Sequence, residues 1–262
     1  MKLIHEPLSA RRQAVLGVVG VAAVAGVAEL LMRTVVTKEG LPVPSKVVAS
    51  LGDLFADTEF WAAVGFTLAE WLLALAMAAV VGVIVGAAMG ASKAAMITFS
   101  LPVEAFRVLP SIALGPILVL LLGNGMLPLS ITVALACVWP ILLNTMYGVK
   151  GADTTAIQTA ESFGLSRGQV VRRVILPSAL PFAFTGVRVA ASIGLIVAVS
   201  AELLVGGGNG IGGYILFNSA NATNLDLVYA ATLVAGVVGV LVSLVLTAMD
   251  AKVFDWKKGL AQ

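Results

Sequence analysis

The sequence predicts an all-α, polytopic membrane protein with about six transmembrane helices. Of its 262 residues, 60% are hydrophobic and only 11% are charged, and the mean hydropathy is +1.04. A soluble protein of this length carries roughly 25% charged residues. The apolar residues are also grouped into runs close to the ~20 residues that a helix needs to cross a bilayer.

Six apolar runs are predicted as spans one to six in chain order: residues 14–32, 62–90, 108–123, 129–148, 182–205 and 228–249. The first run is longer than the ~7–15 apolar residues of a cleaved signal, so it is kept as a span. Segment 33–60 is predicted as an outer loop. Residues 94–106 form either a short helix or the approach to span three.

The second half of the chain alternates spans with short connections. Span three contains Pro110 and Pro116, and span four contains Pro140, which permit kinks or close helix packing. Residues 150–181 form a cytoplasmic loop, and a glycine-rich outer segment, 206–226, connects spans five and six. The domain prediction is a cytoplasmic segment at 1–13, a transmembrane domain at 14–250 and a cytoplasmic tail at 251–262.

The basic residues predict the orientation in the membrane. Outside the predicted spans, only Arg33, Lys38 and Lys46 fall in outer segments. Twelve basic residues fall on the inner side: Lys2, Arg11, Arg12, Lys93, Arg107, Lys150, Arg167, Arg172, Arg173, Lys252, Lys257 and Lys258. Cytoplasmic loops carry the excess of lysine and arginine, so both termini are predicted to be cytoplasmic.

The cytoplasmic stretch 153–181 predicts two short helices. Asp153 caps the first, whose apolar face holds Ala156, Ile157, Ala160 and Phe163, and Gly164 ends it. Ser166 caps the second helix, which the pair Leu176-Pro177 is predicted to end; a further Leu-Pro pair closes the stretch at Pro181. Such a helical knob suits docking to another protein, although an amphipathic loop lying on the membrane fits the spacing equally well.

Three glutamates lie within or at the ends of predicted spans, where an ionisable group is costly and indicates function. Glu29 is close enough to the outer interface for a simple surface role to be favoured. Glu70 can pair with a basic group or line a transport path. Glu202 either anchors the backbone amides of the following glycine loop or lies on the path.

Four further residues are predicted along a transport path: Arg107, Pro110, Ser192 and Ser200. The serines share a face of span five loosely with the glutamate there. Arg107 and Arg188 either guide an anionic solute or extend their charged ends to the membrane interface.

Several kinds of site are not indicated by the sequence. Residues 208–213 match GxGxxG, but no strand precedes them, so they favour loop packing over nucleotide binding. A Walker A sequence is absent, as are a metal-ligand cluster and the basic and aromatic pattern of nucleic-acid binding. With Cys137 and His5 as single residues of their types, an intramembrane enzyme is disfavoured. No cofactor is expected in this chain.

The cytoplasmic stretch resembles the EAA loop of binding-protein-dependent ABC importer permeases. The residues in register with that pattern are Ala160, Gly164, Leu176 and Pro177, whereas Gln158, Thr159 and Val174 depart from it. Other segments resemble the nitrate, sulfonate and taurine type of permease: LPVPSKV at 41–47, RVLPSIALGPILVLLLGNG at 107–125, TGVRVA at 185–190 and SAELLVGGGNGIGGYI at 200–215. Glu70 stands where that type commonly has a basic residue, and Leu121-Leu122 stand where it often has an aromatic pair.

The resemblance implies a type I ABC importer permease in a bacterial cytoplasmic membrane, carrying a small anionic solute. Its implied partners are a second permease copy, an extracytoplasmic solute-binding protein and a cytoplasmic ATPase dimer that holds ATP and Mg²⁺. The implied ATPase-coupling residues are Ala156, Ile157, Ala160, Glu161, Phe163, Gly164, Leu176 and Pro177. Two alternatives remain, an ion-gradient-driven secondary transporter and a purely structural membrane subunit.

Overall fold

The computed structural model describes residues 10–34, 43–205, 209–220 and 225–253. Within these ranges every regular element is helical. The α-helices are α1 (Ala10–Thr34), α2 (Pro44–Ala56), α3 (Thr58–Ala91), α4 (Lys93–Arg107), α5 (Ser111–Leu122), α6 (Met126–Lys150), α7 (Thr154–Ser162), α8 (Arg167–Val170), α9 (Leu176–Val205), α10 (Ile211–Ala220) and α11 (Leu225–Val253). A π-helical segment, Val171–Ile175, joins α8 to α9.

Five helical stretches of the described chain are long and apolar enough to cross a membrane: Val15–Thr34, Thr58–Ala91, Met126–Lys150, Arg167–Val205 and Leu225–Val253. The pair α4 and α5 makes a sixth span if it is counted as one element bent by 91°. The all-α prediction with about six spans is therefore confirmed.

Span three differs in its bounds from the span predicted at 108–123. The apolar helix α5 has only 12 residues, and α4, which precedes the bend, provides the rest of the span. Pro110 lies at the break: it offers no backbone N–H and disfavours helical geometry at the residue before it. Residues 94–106 are helical, within α4, whose N-terminus is capped by the Ser92 hydroxyl.

The predicted outer loop at 33–60 is largely helical in its described part, which corrects that prediction. Pro44 takes the first position of α2, where a missing amide N–H costs little. Glu29 ties α1 to this helix start, because its carboxylate accepts the Ser45 N–H at 3.0 Å and pairs with Arg33 at 2.6 Å. Residues 35–42 and most of the predicted terminal segments, at 1–9 and 254–262, lie outside the described residues.

The core is formed by α3, α6 and α9. Its buried side chains include Trp71, Val133, Cys137, Ile141 and Ala198. The Trp71 indole Nε1 donates to the Ala191 carbonyl at 2.9 Å, which joins α3 to α9. A second cluster packs α2 and α10 against α3 and α11, whereas no residue in the apolar window of α1 is buried.

The helix that follows the cytoplasmic stretch corrects another prediction. Leu176-Pro177 does not end it, and the helix continues from Arg167 to Val205 over 39 residues. The Leu176 N–H bonds to the Val171 carbonyl, five residues back. Pro177 consequently falls in the first turn after the π-helical segment, a position that tolerates a residue without an N–H.

Candidate functional site

The helix α7 is closed at both ends by local hydrogen bonds. The Asp153 carboxylate accepts the Thr155 N–H at 2.8 Å, which confirms the predicted cap. At the other end Gly164 has φ +77°, and its N–H bonds to the Glu161 carbonyl at 2.9 Å while the Leu165 N–H bonds to that of Ala160 at 3.1 Å. These two bonds form a Schellman motif, so the predicted stop at Gly164 is confirmed.

The apolar face predicted for this helix is only partly correct. The side chains of Ala156, Ile157 and Ala160 are half-buried, but that of Phe163 is 81% exposed. The helix ends at Ser162, and Phe163 adopts the φ −81° and ψ 8° of a terminating residue. Its side chain therefore leaves the helical face and points outward.

The remaining coupling candidates lie next to this protruding phenylalanine in the sequence or in the first turn of α9. Glu161 and Gly164 are exposed beside it, and Leu176 is exposed in α9, where Pro177 is half-buried. The connection is tight, since the Gln169 side chain accepts the Ser166 N–H at 2.8 Å and Val170 is buried. The structure thus presents an exposed helical knob, defined here as residues 153–164, joined by a short capped turn to the long helix.

A buried polar cluster lies near the other end of that long helix. The Glu202 carboxylate accepts the Thr67 hydroxyl at 2.8 Å and the Gly212 N–H at 2.7 Å. The Thr67 oxygen in turn accepts the Ile211 N–H at 2.9 Å. Glu202 and Thr67 together bind the first amides of α10, where a helix favours negative charge. This is the anchoring role that the sequence offered as one alternative for Glu202.

Glu70 lies one turn beyond Thr67 in α3 and faces Glu202. It is 0% exposed, and neither carboxyl oxygen has a hydrogen-bond partner among the described residues. The prediction that it could pair with a basic group is wrong, because its charged neighbour is another acid. Sequence reasoning missed this because residues 132 positions apart along the chain carry no shared local signal.

Gly210, the middle glycine of the GxGxxG match, and the nearby Gly212 have a packing role around Glu202 that involves no nucleotide. A Cβ at Gly210 would overlap the Glu202 carboxyl, and one at Gly212 would overlap the Val199 carbonyl. The glycines permit this close approach, and the chain's own carboxylate supplies the negative charge that a helix N-terminus favours. Gly208 lies outside the described residues.

Arg107 and Pro110 lie together at the bend between α4 and α5. They line a cavity of about 290 Å³ whose other walls come from α6 and α9, including Trp139 and Ile193. Arg107 pairs with Glu104 at 3.5 Å and stays 43% exposed. The ion pair engages one edge of the guanidinium, and its exposed part can contact a small anion at the cavity.

Ser192 and Ser200 lie in a separate groove of about 470 Å³ between α9 and α11. The Ser200 hydroxyl donates to the Ile196 carbonyl of its own helix at 2.8 Å. Arg188, one turn before Ser192 in α9, forms an ion pair with Asp250 of α11 at 3.5 Å. The six predicted path residues are therefore divided among a buried acid pair, a cavity and a groove rather than gathered at one site.

Two sets of residues were missed in the sequence. Thr67 links α3, α9 and α10 through its hydroxyl, and no local pattern marks it. The glycines at 82, 86 and 90 pack α3 on α6. Their four-residue spacing within an apolar run is a sequence pattern that indicates close helix packing. Among the described residues, no group of three or more histidine, cysteine or acidic side chains could hold a metal ion.

Comparisons with known proteins agree with this architecture. The family described as "Binding-protein-dependent transport system inner membrane component" matches residues 78–255. The chain is 31% identical over 221 residues to the taurine transport system permease protein TauC of Escherichia coli (strain K12), covering 82% of this chain and 80% of that protein. It is 26% identical over 223 residues to the putative aliphatic sulfonates transport permease protein SsuC of Bacillus subtilis (strain 168), covering 85% and 80%.

A third relative and two solved structures extend the likeness. The nitrate import permease protein NrtB of Synechocystis is 28% identical over 164 residues, covering 63% of this chain and 59% of that protein. A crystal structure of an amino acid ABC transporter superposes with a TM-score of 0.63 at 16% identity, covering 81% of this chain and all of that one. The MetNI methionine ABC transporter superposes at 0.61 with 20% identity, covering 73% and 94%. At these identities the structures show a shared fold.

Proposed function

Because the chain belongs to the family of binding-protein-dependent transport system inner-membrane components, we propose that it forms the membrane path for a small anionic solute and that its knob couples this path to a cytoplasmic ATPase dimer. The chain is an ABC importer permease, and its relatives are transport proteins rather than enzymes. Under this proposal ATP and Mg²⁺ bind in the ATPase, an extracytoplasmic binding protein delivers the solute, and a second permease copy completes the path.

The solute class is supported by the relatives and by one feature of this chain. The relatives are named for taurine, aliphatic sulfonates, nitrate and bicarbonate, solutes that share a small oxyanion group. In this chain Arg107 borders the cavity at the α4–α5 bend. A guanidinium matches the geometry of such an oxyanion, so we infer an oxyanion-bearing solute.

The observation that supports the coupling role is the exposure of the Phe163 side chain. An aromatic side chain that is 81% exposed, on a knob whose ends are fixed by hydrogen bonds, has the properties of an interface anchor. The same knob is joined to a helix of 39 residues. A continuous helix of that length extends about 58 Å, at ~1.5 Å per residue, and can transmit a displacement between its ends. Movement of the ATPases would thereby reach the far end of the path.

The test is affinity purification of the tagged permease in mild detergent with mass spectrometry of co-purifying proteins, together with solute uptake. Phe163→Ala should weaken ATPase recovery about 30-fold, as expected for loss of a ~2 kcal/mol anchor. Gly164→Asp should have a similar effect, because φ +77° is strained for any residue with a side chain. Phe106→Ala, at a side chain that is 58% exposed in α4, is the matched control.

Two outcomes would contradict the proposal. Wild-type ATPase recovery and uptake in both variants would exclude the knob as the coupling surface. Recovery of no ATPase at all, with uptake that collapses when the proton gradient is dissipated, would instead favour the ion-gradient-driven carrier.

A further inference from the structure

Two carboxyl groups face each other in the interior of the protein, and only one of them has hydrogen-bond donors. Glu202 accepts from the Thr67 hydroxyl and the Gly212 N–H. Glu70 faces Glu202, and its two oxygens have no partner among the described residues. Both side chains are 0% exposed, so the unpartnered carboxyl lies out of reach of bulk solvent.

No neighbouring group of the described chain supplies the missing positive charge. From α6, the Ser130 hydroxyl donates to the Glu70 backbone carbonyl at 3.3 Å and the Thr132 hydroxyl donates to Pro128 at 2.9 Å. From α11, the buried residues are Ala230, Ala231 and Val234, which carry no charge. Both carboxyls are therefore surrounded by neutral groups.

Three charged groups on or next to the packed helices, Asp57, Glu59 and Arg188, are paired with other groups or exposed. At the start of α3, Asp57 accepts from Tyr214 of α10 at 2.6 Å, and Glu59 is exposed. In α9, Arg188 pairs with Asp250 of α11 at 3.5 Å. Two ionised carboxylates that face each other in a buried site, with no basic side chain of the described chain beside them, would be strongly unfavourable.

We propose that Glu70 and Glu202 share one proton, carried on Glu70 and donated toward Glu202, and that this proton-binding site holds the start of α10 against α3 and α9. The proton belongs on Glu70 because Glu202 already accepts two hydrogen bonds that stabilise its ionised form. A metal ion fits less well, since hard cations require about six oxygen ligands and both Glu202 oxygens are already engaged.

The site has a structural consequence for α10. The first amides of that helix are bound by Glu202 and Thr67. Loss of the proton would place a second negative charge beside Glu202 and repel it from this position. The packing of α10 thus depends on the proton of this acid pair. Its α9 member, Glu202, lies about 39 Å along that helix from Leu176, at ~1.5 Å per residue.

Infrared spectroscopy of the purified full-length protein tests the proton directly. Wild-type protein with ¹³C-labelled glutamate should show the C=O stretch of a protonated carboxylic acid at pH 7. Glu70→Gln should abolish this band, because the amide donates a hydrogen bond without a titratable proton. Glu59→Gln, an exposed acid of the same helix, is the control and should retain it. A band that persists in Glu70→Gln, or is absent from the wild type, would overturn the proposal.

The pH dependence of thermal unfolding gives a second test. The folded protein keeps a proton that an unfolded glutamate releases above about pH 4.3. Stability should therefore fall as pH rises, with the folding constant decreasing up to about tenfold per pH unit relative to Glu70→Gln. If that variant does not fold, Glu70→Lys replaces it in the comparison, because the lysine ammonium group would face the Glu202 carboxylate directly. Equal pH profiles in wild type and variant, or stability that depends on added Na⁺, K⁺ or Mg²⁺ instead of pH, would contradict the shared proton.

Discussion

Asp57 binds two elements with its two carboxylate oxygens. One oxygen accepts the Glu59 N–H at 2.8 Å and caps α3, and the other accepts the Tyr214 hydroxyl at 2.6 Å. The Tyr214 hydrogen bond holds the pKa of Asp57 below its usual value. Burial and the same hydrogen bond raise the pKa of Tyr214. The tyrosine ring also packs edge-on against Phe60 at 5.3 Å between ring centres, so one residue pair fixes α10 on α3.

Tyr214→Phe removes this hydrogen bond and keeps the ring. We expect a loss of about 1.5 kcal/mol in the free energy of unfolding at neutral pH, as for a hydrogen bond to a charged acceptor. Because the folded pKa of Asp57 is lowered, the stabilisation is present above about pH 3.9 and disappears as pH falls through the folded value.

Thermal unfolding between pH 3 and pH 7 measures this difference. Tyr147→Phe, at a tyrosine that is 61% exposed, serves as the control and should be neutral throughout. An equal loss at both ends of the pH range for Tyr214→Phe would show that the hydrogen bond to ionised Asp57 is not the cause.

At the scale of elements, three glycines decide how closely α3 packs on α6. Gly82, Gly86 and Gly90 repeat every four residues and therefore share one face of the helix. A Cβ at Gly86 would overlap the Leu142 carbonyl, and one at Gly90 would lie 2.6 Å from the Val149 Cβ. Small residues on such a face let two backbones approach, which is the main source of helix association within a bilayer.

Gly86→Ala should destabilise the protein by about 1–3 kcal/mol, because the added methyl group meets a backbone carbonyl that cannot move aside. Gly65→Ala in the same helix has no atom within 4 Å of the added carbon. It should be neutral or slightly stabilising, because alanine has the higher helix propensity. Thermal unfolding of the two variants in detergent compares them, and similar melting temperatures would contradict close packing at Gly86.

At the scale of the whole molecule, the helix Arg167–Val205 connects the two candidate sites. The exposed knob precedes its first residue, and Glu202 lies three residues from its last. A helix that crosses the membrane places these sites on opposite sides. Together with the distribution of basic residues, this predicts that the knob is cytoplasmic and that the junction between α2 and α3 is external.

Single-cysteine labelling tests this orientation. The native Cys137 is buried, so it should contribute little background. A membrane-impermeant maleimide should label Asp53→Cys in intact cells but label Ser162→Cys only in inside-out vesicles. The reverse pattern would invert the topology and exclude ATPase coupling through the knob.

Several features were predictable because neighbouring residues determine them. The number of spans follows from apolar runs, each of which must satisfy its own backbone hydrogen bonds as a helix in lipid. The two ends of α7 follow from Asp153 and Gly164, whose contacts reach only two to four residues along the chain. The family resemblance and the class of protein were likewise available from the sequence.

Other features were decided by tertiary structure alone. The bend at Pro110 and the continuation of the helix through Pro177 differ although both sites are prolines, because the π-helical segment accommodates the second one. In the sequence, Glu70 and Glu202 are each a single acidic residue within a predicted membrane span. Only the packing of α3 on α9 makes them a pair, because the energy of a buried charge depends on the groups that surround it in space.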